Sequence, residues 1–351
     1  MQVRALYNDH MQTQQNVSLA GYSTMRLGGI AAYLVEVHKR QDVVEAVQWA
    51  VDHQVPPIMV GNGSNIVWRD EGFDGLLLVN KILGYQDFAE DEVNHYLTIG
   101  AGETWDNVVE RSVSEGLSGI EALSLIPGTA GATPIQNVGA YGQEIAQTLV
   151  SVEAYDLHTR QFLNLPNEQC DFGYRTSRFK TTDRDRYFIT GLTLHLMKGN
   201  PKPPYYAALQ TYLDENNILE RTPSIIRSAV TAIRKSKLPD PMTIANNGSF
   251  FANPVVDDNK LVQLRADYPN IPYWSADKGA KISAAWLIEQ TGFKDFHDKE
   301  TGMATWPNQP LVLVNEHAKC TADLLKFKQK IIDAVHTKFD ITLEQEPELL
   351  P

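Results

Sequence analysis

Residues 119–142, GIEALSLIPGTAGATPIQNVGAYG, set the strongest limit on how this chain can fold. Gly128, Gly131, Gly139 and Gly142 stand there among small residues and few charges. No sustained helical or strand period runs through the segment. A surface stretch of this length would be more polar, and structureless loops this long are uncommon inside a compact domain. The composition therefore predicts a buried segment against which something flat or bulky packs. A dinucleotide cofactor fits that description, and so does an internal glycine-rich crossover.

The flanking patterns are alternately strand-like and helix-like. Residues 31–37 (AAYLVEV) predict a strand, followed by a helix with Val43, Val47, Ala50 and Val51 on one face. Residues 57–60 (PIMV) predict a short buried strand that runs into Gly61-Asn62-Gly63-Ser64-Asn65. Glycines there would let backbone N–H groups approach an anion, and Ser and Asn add donors. A plain Gly-Asn turn explains the same residues. The run is neither a Walker A loop nor a complete GxGxxG. Strands are also expected at 76–79, 96–101, 150–157, 187–196, 311–315 and 341–343. Helices are expected from Thr104 to near Gly116 and over 224–235, 257–267, 281–290 and 321–338, the last capped by Thr321.

Length and charge bound the function. A chain of 351 residues suggests two or three domains. Its 31 Lys and Arg against 43 Asp and Glu give a charge of −12, which argues against a nucleic-acid binder. A small anionic ligand remains possible wherever a few cations gather. The two cysteines, Cys170 and Cys320, fit a reducing compartment. No secretory signal or membrane span is visible, so a cytoplasmic protein is expected. The nine histidines show no ligand spacing, so no metal site is expected.

Three more segments carry chemistry. Phe172-Gly173-Tyr174-Arg175 opens a basic stretch with Arg178, Lys180, Arg184 and Arg186. An arginine fork suits a carboxylate, although a solvated basic loop is the ordinary alternative. Arg234, Lys235 and Lys237 precede Leu238-Pro239-Asp240-Pro241. They either complement a helix dipole or bind phosphate. Residues 246–254 (NNGSFFANP) place Ser249 beside two aromatics. A hydroxyl in dry surroundings can donate a proton to a strongly basic carbanion, or it can simply sit in a turn.

These segments, in this order, resemble the UDP-N-acetylenolpyruvoylglucosamine reductases, over about residues 24–348 and in the form that carries a tyrosine lid loop. The residues that carry the likeness are TMRLGG at 24–29, GNGSN at 61–65, IPGTAGATPIQNVGAYG at 126–142, FGYR at 172–175, KLPDP at 237–241, GSFFANP at 248–254 and LEQE at 343–346. The resemblance implies an α+β chain: a two-subdomain FAD-binding fold of the vanillyl-alcohol-oxidase/PCMH type plus a separate α+β substrate-binding domain. It suggests an arm at 1–20, flavin subdomains at 21–80 and 81–198, a substrate domain at 199–338, and a tail, 339–351, that returns to the active site. It implies an FAD-dependent oxidoreductase of peptidoglycan precursor synthesis in which NADPH is the hydride donor. Flavin N5 would deliver hydride to C3 of the enolpyruvyl sugar nucleotide, and Ser249 would protonate C2. Arg175 and Glu346 would stabilise the enolate. The family tail reads L-E-P-E-V, so alignment on Pro-Glu would select Glu348 instead; the ungapped spacing favours Glu346.

Flavin contacts are implied for Arg26, Gly61, Asn62, Gly63, Ser64, Asn65, Gly128, Thr129, Gly131, Ala132, Gly139 and Gly142. No His lies in these segments, so the FAD is expected to be non-covalent. Tyr206, with Tyr205 its rival, would close over the nucleotide, and Lys237 and Asn253 would bind its diphosphate or uridine. The expected partners are therefore the sugar nucleotide and NADPH, with no nucleic acid and no membrane, and a monomer is expected.

Overall fold

The computed structural model describes residues 12–276 and 278–351. Its first unit is a four-stranded sheet in the order Gln14–Ser18, Ile30–Val37, Phe73–Asn80, Pro57–Val60. The last three strands are parallel, and Gln14–Ser18 joins the edge antiparallel. The arm expected at 1–20 is thus in part a sheet strand, and residues 1–11 lie outside the described residues. Helix Arg40–Asp52 makes the crossover after Ile30–Val37 and buries Val43, Ala46, Val47 and Ala50. Val51, expected on that face, is exposed, and Ala46 takes the place at helical spacing.

A second, antiparallel sheet runs in the order Gln161–Pro166, Leu149–Asp156, Tyr187–Lys198, Asn94–Gly100, Tyr85–Ala89. Helix Trp105–Ser114 packs Trp105, Val108, Val109 and Val113 into the same core as Leu97, Ile99, Val152 and Leu192. The glycine-rich segment forms short 3-10 turns at Glu121–Leu123 and Ala130–Ala132 and a small hairpin, Gly139–Ala140 with Gln143–Glu144. Within it, Ala122, Leu123, Ala130 and Gly131 are buried, as the composition required.

The remainder packs in two places. Helix Ala207–Glu215 and helix Pro223–Lys237 bury Leu209, Leu213, Ile226, Val230 and Ile233 against Ala122 and Tyr141 of the second unit. Thr222 caps the longer helix by accepting from Ile225 N–H, and Pro223 opens it. Arg227 fastens it across to Asp106 of helix Trp105–Ser114 through two hydrogen bonds of 2.6 and 3.1 Å. Further on, strands Ala245–Ser249, Gln309–Asn315, Met303–Trp306 and His297–Asp298 form a four-stranded sheet. Helix Thr321–Phe339 covers a core of Phe250, Phe251, Leu313, Phe327 and Ile331, which Met25, Leu27 and Val67 of the first unit enter.

Two expectations are corrected. The helix expected at 281–290 is strand Gly279–Ile282 followed by helix Ala284–Gln290. Ser283 accepts from Trp286 N–H and starts the helix there, after the strand has paired with Tyr273–Ala276. The strand expected at 341–343 does not form. Ile341 and Leu343 instead bury in the core beneath the long helix. The chain then runs on to strand Glu348–Leu350, which pairs parallel with Ile66–Trp68. Among the described residues no helix is long and apolar enough to cross a membrane, and no cluster of His, Cys, Asp and Glu could hold a metal ion.

Candidate active site

A cleft of about 390 Å³ runs where the three units meet. One wall is made by the two glycine-bearing segments, which interlock. Ser64 Oγ donates to Pro127 O at 3.0 Å, and Asn65 Nδ2 donates to Gln136 Oε1 at 2.8 Å. Gly63 has φ +69, and a Cβ there would lie 2.1 Å from Tyr22 O. Gly128 has φ +125, and its Cβ would lie 2.9 Å from Ser64 Oγ. Only glycine satisfies both the left-handed backbone and the close approach. Gly61, Asn62, Gly63, Ser64, Asn65, Gly128, Thr129, Gly131, Ala132 and Gly139 all line the cleft. A narrow trough of small residues with backbone amides is the surface a flat ring and its diphosphate require.

The opposite wall brings together the residues that suit proton chemistry. Ser249, at the end of strand Ala245–Ser249, lines the cleft with Arg175 and Glu346. The tail runs antiparallel to the segment that follows this strand. Ala252 N–H donates to Glu344 O at 3.0 Å, and Glu346 N–H donates to Phe250 O at 2.9 Å. That pairing carries Glu346 into the site, where its carboxylate meets Arg175 Nε at 3.2 Å. Arg175 has φ +55, and its Nη2 donates to Gly139 O at 2.9 Å, which fixes the guanidinium. Burial pushes the Glu346 carboxyl above its ordinary range, and Arg175 and Lys180 oppose this only partly. The rival, Glu348, pairs instead with Arg184 Nη2 at 2.6 Å.

Other residues singled out in the sequence fall at varied distances from this centre. Asn253 lines the cleft and accepts from Ala284 N–H at 2.9 Å. Gly142 and Tyr206 line a side pocket that joins the cleft at Arg175. Tyr206 is exposed and meets Tyr141 edge-on. Tyr205 is tied down, donating its hydroxyl hydrogen to Pro201 O at 2.8 Å. Two residues do not line either space. Arg26 is exposed, and its Nη2 donates to Pro241 O and Met242 O. Lys237 is exposed at the end of its helix.

Several site residues gain their distinction only in the fold. Asn247 is buried, and its Nδ2 reaches Thr24 Oγ1 at 3.1 Å and the carbonyls of Ser64 and Ile66 at 3.3 and 3.2 Å. It thus fastens the GNGSN loop to the strand that carries Ser249. Tyr174 and Lys281 form a stacked pair in the side pocket, with Lys281 Nζ 3.5 Å from the ring centre. Arg234, near the end of helix Pro223–Lys237, projects into the cleft with its Nε buried and unpaired.

The chain matches two family models. One, described as an FAD binding domain, covers residues 31–159; the other, described as the C-terminal domain of UDP-N-acetylenolpyruvoylglucosamine reductase, covers residues 240–350. A UDP-N-acetylenolpyruvoylglucosamine reductase of Ralstonia nicotianae is 40% identical over 333 residues, 94% of this chain and 96% of that protein. The chain belongs to that family. A Vibrio vulnificus reductase of the same name is 37% identical over 336 residues, 96% of this chain and 94% of that protein. The crystal structure of UDP-N-acetylenolpyruvylglucosamine reductase from Thermus caldophilus superposes with a TM-score of 0.67, covering 97% of this chain and all of that one, at 23% identity. The fold is therefore α+β, an FAD-binding domain joined to the C-terminal domain of this reductase family. The protein is an FAD-dependent oxidoreductase of this family.

Proposed function

We propose that this protein reduces UDP-N-acetylglucosamine enolpyruvate to UDP-N-acetylmuramate in peptidoglycan precursor synthesis, with NADPH as the hydride donor. The observation that carries the reading is the placement of Ser249, Arg175 and a buried Glu346 in one cleft with the two glycine segments. Bound, non-covalent FAD supplies the hydride that C3 of the enolpyruvyl group receives. GNGSN and residues 128–139 hold the cofactor, and their glycines leave it room.

The chain's own residues manage the charge that hydride addition leaves on the substrate. Negative charge develops at C2 and spreads into the adjoining carboxylate. Arg175 faces that oxygen pair with a fork whose orientation is already fixed, so little reorganisation is needed. Glu346, whose protonated form burial favours, donates a hydrogen bond to the same oxygens. Ser249 gives its proton to C2 and regains one from solvent. Serine is a weak acid, so it is adequate only against a base this strong. Tyr206 closes over the nucleotide from the side pocket, and Asn253 meets the nucleotide in the cleft. Lys237, exposed at the end of its helix beside the cleft-lining Leu238, takes the diphosphate as the substrate enters. Residues 21–80 and 81–198 serve the cofactor and 199–338 the substrate.

Stopped-flow flavin absorbance tests this. NADPH alone should bleach the flavin, and the enolpyruvyl sugar nucleotide should restore its colour. In Ser249→Ala the first phase should be unchanged and the second about 10²–10⁴-fold slower. Equal slowing of both phases would make Ser249 structural, and a purified protein that takes up no FAD would refute the reading.

A further inference from the structure

Glu121 is 1% exposed and has no part in the chemistry above. Among the described residues it is paired with no Lys or Arg; its carboxylate is bonded to uncharged donors instead. A buried carboxylate without a cation is costly unless both oxygens are bonded. Both are. Gly119 N–H donates to Oε2 at 2.6 Å, and Gln143 Nε2 donates to Oε1 at 2.7 Å. Gln143 is held at its other end too, where its Oε1 accepts from Ala122 N–H at 2.7 Å. The two side chains thus form a bridge with a backbone N–H at each end.

That arrangement explains why one of the two is an acid. The backbone N–H groups point donors inward from both ends. An amide passes the direction of a hydrogen bond along, because it has one accepting and one donating end. A carboxylate accepts at both ends and so reverses the direction. With donors at both ends, the bridge closes only with one amide and one carboxylate. Two amides would set donor against donor, and two carboxylates acceptor against acceptor, where Glu121 is closed to water.

The bridge ends on the hairpin that aims Arg175. Gln143 pairs with Ala140, and Glu144 pairs with Gly139, whose carbonyl accepts from Arg175 Nη2. Tyr141 and Gly142 make the turn, with φ +49 and +85. Two residue pairs are too few for a hairpin to keep its own shape. Asn137 Nδ2 ties the Gly139 end by donating to Glu144 at 2.8 Å. The pair nearer the turn is tied by Gln143 to Glu121. We propose that Glu121 and Gln143 are positioning residues. They set the hairpin, and through the Gly139 carbonyl they set the Arg175 guanidinium. This rests on the reading that Arg175 serves the substrate carboxylate. Moving that carbonyl by about 1 Å would misaim the fork, and an error of that size costs about 10²-fold in rate.

The experiment uses purified holoenzyme and four variants. Two are single, Gln143→Met and Glu121→Gln. The third exchanges the pair, Glu121→Gln with Gln143→Glu. The fourth combines Gln143→Met with Arg175→Lys and is compared with Arg175→Lys alone. Flavin bleaching by NADPH and reoxidation by the sugar nucleotide are followed separately, together with KM for the sugar nucleotide. Each single variant should slow reoxidation roughly 10- to 100-fold and leave the NADPH phase unchanged. The exchange keeps one amide and one carboxylate, so it should return reoxidation to within about two-fold of wild type. Gln143→Met should slow Arg175→Lys by no more than about two-fold, since the fork it aims is already gone. A full further loss in that background would make the bridge a structural tie and overturn the proposal. So would an exchange as slow as the single variants. A raised KM with normal turnover would make Gln143 a nucleotide contact and would overturn it as well. Should Gln143→Met fail to fold, Glu121→Gln, which keeps the shape, takes its place in the combined variant. A wild type whose flavin the sugar nucleotide does not reoxidise would instead defeat the underlying reading.

Discussion

Two arginine–carboxylate pairs in this molecule look alike and behave in opposite ways. In the second unit, Arg186 grips Asp156 with both Nε and Nη2, at 3.1 and 2.8 Å, and reaches Asp183 with Nη1 at 3.0 Å. His158 N–H adds a further bond to Asp156. The Asp156 carboxyl is held down to about 2, chiefly by the hydrogen bonds from Arg186. In the cleft, Arg175 gives Glu346 a single contact at 3.2 Å and spends another nitrogen on a backbone carbonyl. There burial prevails over attraction, and the carboxyl is pushed up. The side chains are comparably sheltered, at 1% and 12% exposed. What separates them is the balance of burial and bonding: burial leads at Glu346, whereas the hydrogen bonds from Arg186 lead at Asp156. A fully bonded pair holds its carboxylate ionised, whereas an under-bonded one favours the protonated acid.

The contrast can be broken from either side. Arg186→Met strands Asp156 in the interior and should cost about 3–5 kcal/mol in urea unfolding. Arg175→Lys loses the fork but not the charge. Turnover should fall about 10²–10³-fold with little change in unfolding midpoint. A normal turnover would remove Arg175 from the chemistry.

Acid titration sharpens the comparison. Asp156 has its pKa depressed on folding, so its contribution is fully present above the ordinary carboxylate range and is lost as pH falls towards about 2. That contribution is about 2 kcal/mol, and Asp156→Asn should flatten this part of the stability curve. Glu346 has the opposite sign. Its pKa is raised on folding, so its ionised form opposes folding increasingly as pH climbs from the ordinary carboxylate range. Glu346→Gln should therefore melt slightly higher than wild type near neutrality, and the gap should close in acid. A gap that persists in acid would mean that packing, not ionisation, is responsible.

The legible part of the site was the part written in local chemistry. Residues 126–142 were too small and too apolar for an exposed loop, and they do form the cleft wall. Ser249 stood out beside two phenylalanines, and both are buried. Arg234 and Asn247 stood in runs already noted, yet their distinction is tertiary. One is an unpaired group and the other a clamp on a distant loop. No spacing announces either. The tail misled for a related reason. Ile341 and Leu343 alternate as a strand would, but they pair with no sheet edge and enter the helix-covered core instead. Glu348–Leu350 finds such an edge at Ile66–Trp68, although its first residue is charged.

The parallel pairing of Glu348–Leu350 with Ile66–Trp68 has a consequence for the order in which the molecule is made. The GNGSN loop emerges from the ribosome early, and Glu346 emerges long after it. A nascent chain that has reached Leu343 already contains the apolar residues of all three units apart from Leu349 and Leu350. It still has no carboxylate to set beside Arg175 and no second strand along Ile66–Trp68. Translation that stops short would therefore leave a chain with its cores filled and its chemistry missing.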